Sequence, residues 1–254
     1  MAELADALDL GLEVGELVQL SGGHTTRTVD HMERMARALG AQECHAAISS
    51  INVAMTVMAD GRTLTAGRHA VHFGINFSTL TQVKHLVADT EALGLTAAQI
   101  RSRLALIRNA GRVYPVWLVM LALGGSTAAF TALFHGSAVA IALAFFAGLA
   151  GALVRHSLTV RHFKPFVTVG SSAFTAALLV AGGGQLLGLG AQTDPALAAS
   201  TLFVVPGVPM LNGTADLLTA HYLNGLVKLA MSAVIVASAA VGLVVAVMVV
   251  GVLT

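Results

Sequence analysis

Residues 114–134 read YPVWLVMLALGGSTAAFTALF, 21 positions without a charge. A helix rises 1.5 Å per residue, so this stretch reaches about 31 Å, enough to cross the hydrocarbon core of a bilayer. The asymmetry widens on either side of it. From Val113 onward there are only two carboxylates, Asp194 and Asp216, and four basic residues, Arg155, Arg161, Lys164 and Lys228. The remaining eleven acids and ten Lys/Arg lie within 1–112. Overall the chain is 56% hydrophobic and 11% charged, where a soluble domain carries about 25% charge. This composition counts against a soluble α/β enzyme. The fold class is mixed: an N-terminal cytoplasmic α+β domain (1–112) followed by an α-helical transmembrane domain (113–254).

Three further apolar runs match the first: Ser137–Val154, Phe166–Leu187 and Leu226–Leu253. Lys228 stands at the start of the last, where its stem can snorkel. A fifth segment, Ala196–Ala220, completes about five spans. It is the fourth in order and is broken at Pro206–Pro209 by Pro206, Gly207 and Pro209. Proline removes a backbone donor and clashes with the preceding turn. Irregular backbone at bilayer depth is tolerated only against protein or a water-filled cavity, and in transporters such breaks face substrate. A plain proline kink is the simpler reading. Asn212 and Asp216 follow, one helical turn apart on one face. An ionisable residue inside a membrane segment marks a substrate or proton path; an interfacial carboxylate at the end of the span is the alternative. Pro206, Gly207, Pro209, Asn212 and Asp216 are therefore the candidates for substrate binding or coupling.

Charge sets the orientation. With 1–112 inside, five spans leave the 155–165 and 219–228 loops inside as well. All fourteen Lys/Arg then share one side, and the outer loops at His135-Gly136 and Gln185–Pro195 carry none. The N-terminus is placed in the cytoplasm and the C-terminus outside; re-entry of the broken segment would give four spans. Residues 1–20 hold acids and no Lys/Arg, unlike a signal peptide.

The N-terminal half reads as α+β. Glu3–Leu20 is an amphipathic helix. A second helix is capped by Thr25 or Thr26 and stops at Gly40, with Val29, Met32, Met35, Ala36 and Leu39 as its buried stripe. Cys44–Met58 is β-rich, and Asp60-Gly61 turns it into Arg62–His69. Ser78–Leu93 and Thr96–Ala110 are two closing helices, each opening on a Ser/Thr cap.

Chemistry-bearing motifs are few. No G-x-x-x-x-G-K-[ST] occurs, which counts against direct ATP drive. The closest histidine pair, His69-x-x-His72, has no carboxylate near it and is a weak zinc signal. Ser21 and Thr25 lack a defined base. No catalytic residue, metal or cofactor is assigned, and no basic stripe points to nucleic acid.

The ordered set Ser21-Gly22-Gly23-His24-Thr25-Thr26-Arg27, Asp30, Arg34–Gly40, Ser49-Ser50, Asp60-Gly61, Arg68, Gly74-Ile75-Asn76, Tyr114-Pro115, Trp117-Leu118, Arg161-His162, Pro165, Val205-Pro206-Gly207, Pro209, Asn212 and Asp216 resembles the motifs of the threonine/serine exporter family. The resemblance spans nearly the whole chain. It implies a cytoplasmic domain preceding membrane spans, in the form whose second multi-span unit is a separate, smaller membrane subunit. The implied substrate of that two-subunit form is succinate; threonine or serine is the alternative within the family. Ser21, Gly22, Thr25, Arg27, Asp30, Gly74 and Asn76 are the matching motif residues of the cytoplasmic domain. The family usually has Ala-Glu where this chain has Gly23-His24, so no role of that Glu carries over. Val116 stands where an Arg is common. The expected protein is a multi-pass inner-membrane exporter subunit, not an enzyme. Its partners are the bilayer, a small anionic or amino-acid substrate, the smaller subunit and further copies of itself. A membrane-tethered enzyme built on His24–Arg27 and a non-transporting scaffold are the rival readings.

Overall fold

The computed structural model describes residues 2–70, 74–110 and 113–252. Contacts divide it into two compact units. One comprises Met1–Val113 and Gly207–Ala230, the other Tyr114–Pro206 and Met231–Thr254.

The first unit begins with α1 (Ala2–Leu20) and α2 (Thr25–Ala38) and continues into β1 (Glu43–Ile48), β2 (Asn52–Ala59) and β3 (Arg62–His69). The strands form an antiparallel meander in the order β1-β2-β3, with Cys44 opposite Val57 and Val53 opposite Arg68. The β-rich stretch read as one element is thus two strands joined by a turn at 49–51. The Asp60-Gly61 turn falls where the sequence puts it, both residues having positive φ (51° and 72°). Next come α3 (Phe77–Leu93) and α4 (Ala97–Asn109). Thr96 caps α4 in a capping box with Gln99. The cap of α3 is Asn76, whose side chain accepts from the Thr79 N–H, and not Ser78. The cap of α2 is His24, through its Nδ1, and neither threonine.

Helix α1 is amphipathic, as its pattern suggests, and it is buried on two sides. Leu10, Val14, Leu17 and Val18 pack with Val83, Val87, Ile100 and Leu104 of α3 and α4. Ala7, Leu8 and Leu12 pack with Met32 of α2 and Val53, Met55 and Val57 of β2. Burial on two sides explains why apolar residues surround most of the helix. Besides Glu3 in the first turn, the charge of α1 is confined to the stripe Asp6, Asp9, Glu13 and Glu16. It meets Arg101 (2.6 Å to Asp6), Arg68 (2.6 Å to Asp9) and Arg108 (3.0 Å to Glu13).

The unit closes with α9 (Gly207–Leu218) and the start of α10 (Tyr222–Val252). They form a hairpin in which Gly213 lies against the Gly225 carbonyl. Ala220, in the turn, holds φ at +64°, a left-handed conformation that glycine adopts without steric cost. Ala220→Gly is expected to raise unfolding free energy by about 1 kcal/mol, read as a higher thermal midpoint of the chain in detergent.

The second unit holds α5 (Val116–Leu133), α6 (Ala138–Val160), α7 (Pro165–Leu186), a 3-10 turn at Gly190–Gln192, α8 (Thr193–Leu202) and the rest of α10. Helix α6 runs past the predicted end and takes Arg155 into its last turns; only 161–164 link it to α7. Asp194 and Pro195 fall in the first turn of α8, not in a loop. Small residues let the backbones approach, and hydroxyls bond across helices. Thr127 donates to the Ala144 carbonyl (2.8 Å) and Ser172 to that of Gly151 (2.7 Å). Among the described residues, α5, α6, α7 and α10 are long and apolar enough to cross a membrane. The broken pair Gly190–Leu202 and Gly207–Leu218 raises the number to five if it is one span. The break itself lies at 203–206. Pro209 sits in the first turn of α9, where a missing N–H costs nothing.

Candidate functional site

The loop between α1 and α2, Ser-Gly-Gly-His, cannot continue the helix, because Gly22 has a φ of +83°. A Cβ on Gly22 would stand 3.1 Å from the Gly74 carbonyl, so Gly22 is required for that approach. The Asn76 N–H donates to the Ser21 carbonyl at 3.0 Å. Ser21, Gly22, Gly74 and Asn76, far apart in sequence, are one structure that presents the N-terminus of α2.

That N-terminus is covered by Asp216 of α9, which is fully buried. Its Oδ1 accepts the Thr25 N–H at 3.0 Å. Its Oδ2 accepts the Thr25 hydroxyl at 2.9 Å and the Lys228 ammonium of α10 at 2.7 Å. A carboxylate here gains from two donors, an ion pair and the positive end of a helix dipole. One turn earlier, Asn212 donates to the Gly22 carbonyl at 2.7 Å. Asn224, one turn before Lys228, donates to Thr25 Oγ1 (3.2 Å) and to the Ile48 carbonyl (2.9 Å). Asn212 and Asp216 thus converge, as their spacing suggests. Pro206, Gly207 and Pro209 shape the start of α9 instead and make none of these contacts.

Two participants were not foreseen. Lys228 and Asn224 form an i, i+4 polar pair on an otherwise apolar helix, the same signal that singles out Asn212 and Asp216.

Arg27 and Asp30 lie elsewhere. With His24, His31 and Arg34 they line an open pocket of about 590 Å³ whose other wall is α3, including Lys84. Arg34 is committed to Glu91 (Nε to Oε1, 2.8 Å) and to Asp30 (3.3 Å). Burial, and then Arg27, holds the His24 imidazole below its ordinary pKa, against the pull of Asp216. The cap on α2 needs an unprotonated Nδ1. A folded-state pKa below the unfolded 6.5 means this contribution is whole above that pH and is lost as pH falls through the window beneath it. The thermal midpoint is expected to fall between about pH 7.5 and about pH 5.5. His24→Asn, which keeps a cap acceptor, is expected to flatten the slope. His31, lowered chiefly by burial, supplies the remainder.

His69 Nδ1 donates to Asn52 Oδ1 (2.6 Å) on the edge of the meander; His72 lies outside the described residues. Among the described residues no three His, Cys, Asp or Glu side chains gather as metal ligands.

Residues 9–250 match the family model described as "Putative threonine/serine exporter". The chain belongs to the threonine/serine exporter family. It is 33% identical to the "Probable succinate transporter subunit YjjP" of Escherichia coli (strain K12), over 91% of this chain and 90% of that protein. It is 32% identical to the protein of the same name in Klebsiella aerogenes, over 91% and 89%. An "Uncharacterized protein" of Haemophilus influenzae is 29% identical over 49% of this chain and 41% of its own length. No solved structure matches. The family and the two YjjP relatives are named as transporters, which counts against an enzyme, and with four to five apolar helices among the described residues they point to a multi-pass membrane protein.

Proposed function

We infer that the chain is one subunit of a secondary exporter that moves a small dicarboxylate, succinate, out of the cytoplasm across a bacterial inner membrane. The observation that carries this reading is the near full-length similarity to two proteins named succinate transporter subunits. The word "subunit" in those names supports a partner, proposed to be a smaller, YjjB-like multi-span membrane protein. Residues 1–112 form the cytoplasmic domain and 113–254 the transmembrane domain. The N-terminus is inside and the C-terminus outside, in keeping with the distribution of Lys/Arg. The broken pair α8/α9 is the fourth crossing, with Asp216 at its cytoplasmic end. Helix α10, at 31 residues, is about 46 Å long. That exceeds a bilayer core by roughly the segment Tyr222–Ala230, which supports keeping Lys228 on the cytoplasmic side.

In this reading the Asp216–Lys228–Thr25 cluster couples the motif loop to the broken span. Its charges respond to a proton or a substrate carboxylate, and an ion gradient drives export. The family description favours threonine or serine as the alternative cargo. The test is transport by the two purified subunits in vesicles under imposed proton and sodium gradients. Succinate movement, with threonine and serine unmoved, is expected. Movement of threonine alone replaces the cargo, and movement of none of them removes the exporter reading.

A further inference from the structure

The pocket between α2 and α3 is not absorbed by the Asp216 cluster. Of the described arginines of the first unit, Arg34, Arg37, Arg68, Arg101, Arg103 and Arg108 each pair with a carboxylate. Arg27 and Lys84, which face this pocket, have no ion pair among the described residues. His31, 5% exposed, lines the same pocket. Its Nδ1 meets Asp30 Oδ2 at 3.2 Å, and its Nε2 is buried without a hydrogen-bond partner. A buried polar atom left so costs free energy unless a ligand or an ordered water completes it. Two cations without an ion pair among the described residues, and a histidine with one unsatisfied ring nitrogen, line one pocket and describe an incomplete site.

We propose that this pocket binds a small carboxylate, with Arg27 and Lys84 holding the anionic head and His31 Nε2 forming the polar floor. Arg27 offers the planar fork that suits a carboxylate, and Lys84 adds a point charge. With Nδ1–H given to Asp30, the neutral His31 ring presents a lone pair from Nε2. It accepts from a hydroxyl, ammonium or acid proton on the ligand, or from a bridging water. The neighbouring Arg34 is held by Glu91 and Asp30, so it shapes the wall and leaves the binding charge to Arg27 and Lys84. The inference borrows from the export reading only its choice of probes. Binding is read on the single chain without a partner or a gradient, so either idea fails independently of the other.

The experiment is calorimetric titration of the full chain in neutral detergent, at fixed ionic strength, with succinate, with threonine and with inorganic phosphate. Saturable binding of succinate or threonine is expected, weakened at least tenfold in Arg27→Gln/Lys84→Gln and unchanged in Arg62→Gln, which removes an exposed charge from β3. Absence of saturable binding, equal binding by the double variant, or phosphate binding as tightly as the carboxylate overturns the proposal. Should the double variant unfold, the ¹⁵N resonances of His31 in the unaltered chain decide: a ligand-dependent shift at Nε2 supports the site, and silence overturns it.

Discussion

Asp216→Asn is expected to abolish transport by the assembled exporter and to lower unfolding free energy by about 3 kcal/mol, the scale of removing one partner from a buried ion pair. The asparagine is nearly the same size, so packing changes little. What changes is polarity at one atom. The oxygen that now accepts from both the Thr25 hydroxyl and the Lys228 ammonium becomes an N–H₂ group facing two donors, while the other oxygen can still take the Thr25 N–H. The loss is therefore concentrated at one side of the carboxylate. Lys228→Met is expected to cost less, because Asp216 keeps two donors from Thr25 and the field of the α2 N-terminus. If the pair itself is the main term, Asp216→Asn/Lys228→Met recovers part of the stability lost in Asp216→Asn alone. Chemical denaturation in detergent micelles measures all three. Transport stays abolished in the double variant if the charges couple. Full transport by Asp216→Asn would reduce the cluster to scaffolding.

Why this cluster was only half legible follows from where its partners lie. Asp216 and Asn212 could be paired by helical spacing, and the polar residues of an apolar segment draw notice. Their partners in the motif loop are about 190 positions away, and no local pattern carries that information. The motif loop was likewise visible as a run of residues but not as an α2 N-terminus awaiting an anion. Lys228 was misread because one positive charge at a helix start satisfies the orientation rule by itself, leaving nothing to prompt a search for its partner. Local chemistry fared better: Gly40, Asp60-Gly61 and Thr96 do what their side chains and φ preferences dictate. The amphipathic reading of α1 holds, but not the extent of its burial. A helix buried on two faces shows apolar residues nearly all round, and only its four-acid stripe, matched by Arg68, Arg101 and Arg108, reveals which side remains.

Gly242→Leu tests the packing of the second unit and carries the other large effect. A Cβ at Gly242 would collide with the Gly170 carbonyl oxygen and approach the Phe174 nitrogen to 2.9 Å. Both are backbone atoms of α7, so no rotamer change relieves the clash and α7 and α10 must separate. The contact is reciprocal, since a Cβ at Gly170 would lie 3.2 Å from the Ser238 carbonyl. Beside it Val169, Ala173, Val204 and Ala239 form a buried cluster that separation would open. Overpacking of this kind costs about 1–3 kcal/mol where side chains can adjust, and the upper end is expected where backbone is the obstacle. Gly182→Leu on α7 is the matched control, because a Cβ there meets nothing within 4 Å. Both replacements gain about 1 kcal/mol of helix propensity over glycine. The difference between their thermal midpoints in detergent therefore isolates the packing term. A midpoint for Gly242→Leu equal to that of Gly182→Leu would mean that α7 and α10 do not touch at this level. A fall of several degrees confined to Gly242→Leu, with transport lost, would mean that this close backbone contact is what holds the broken segment's neighbours in place.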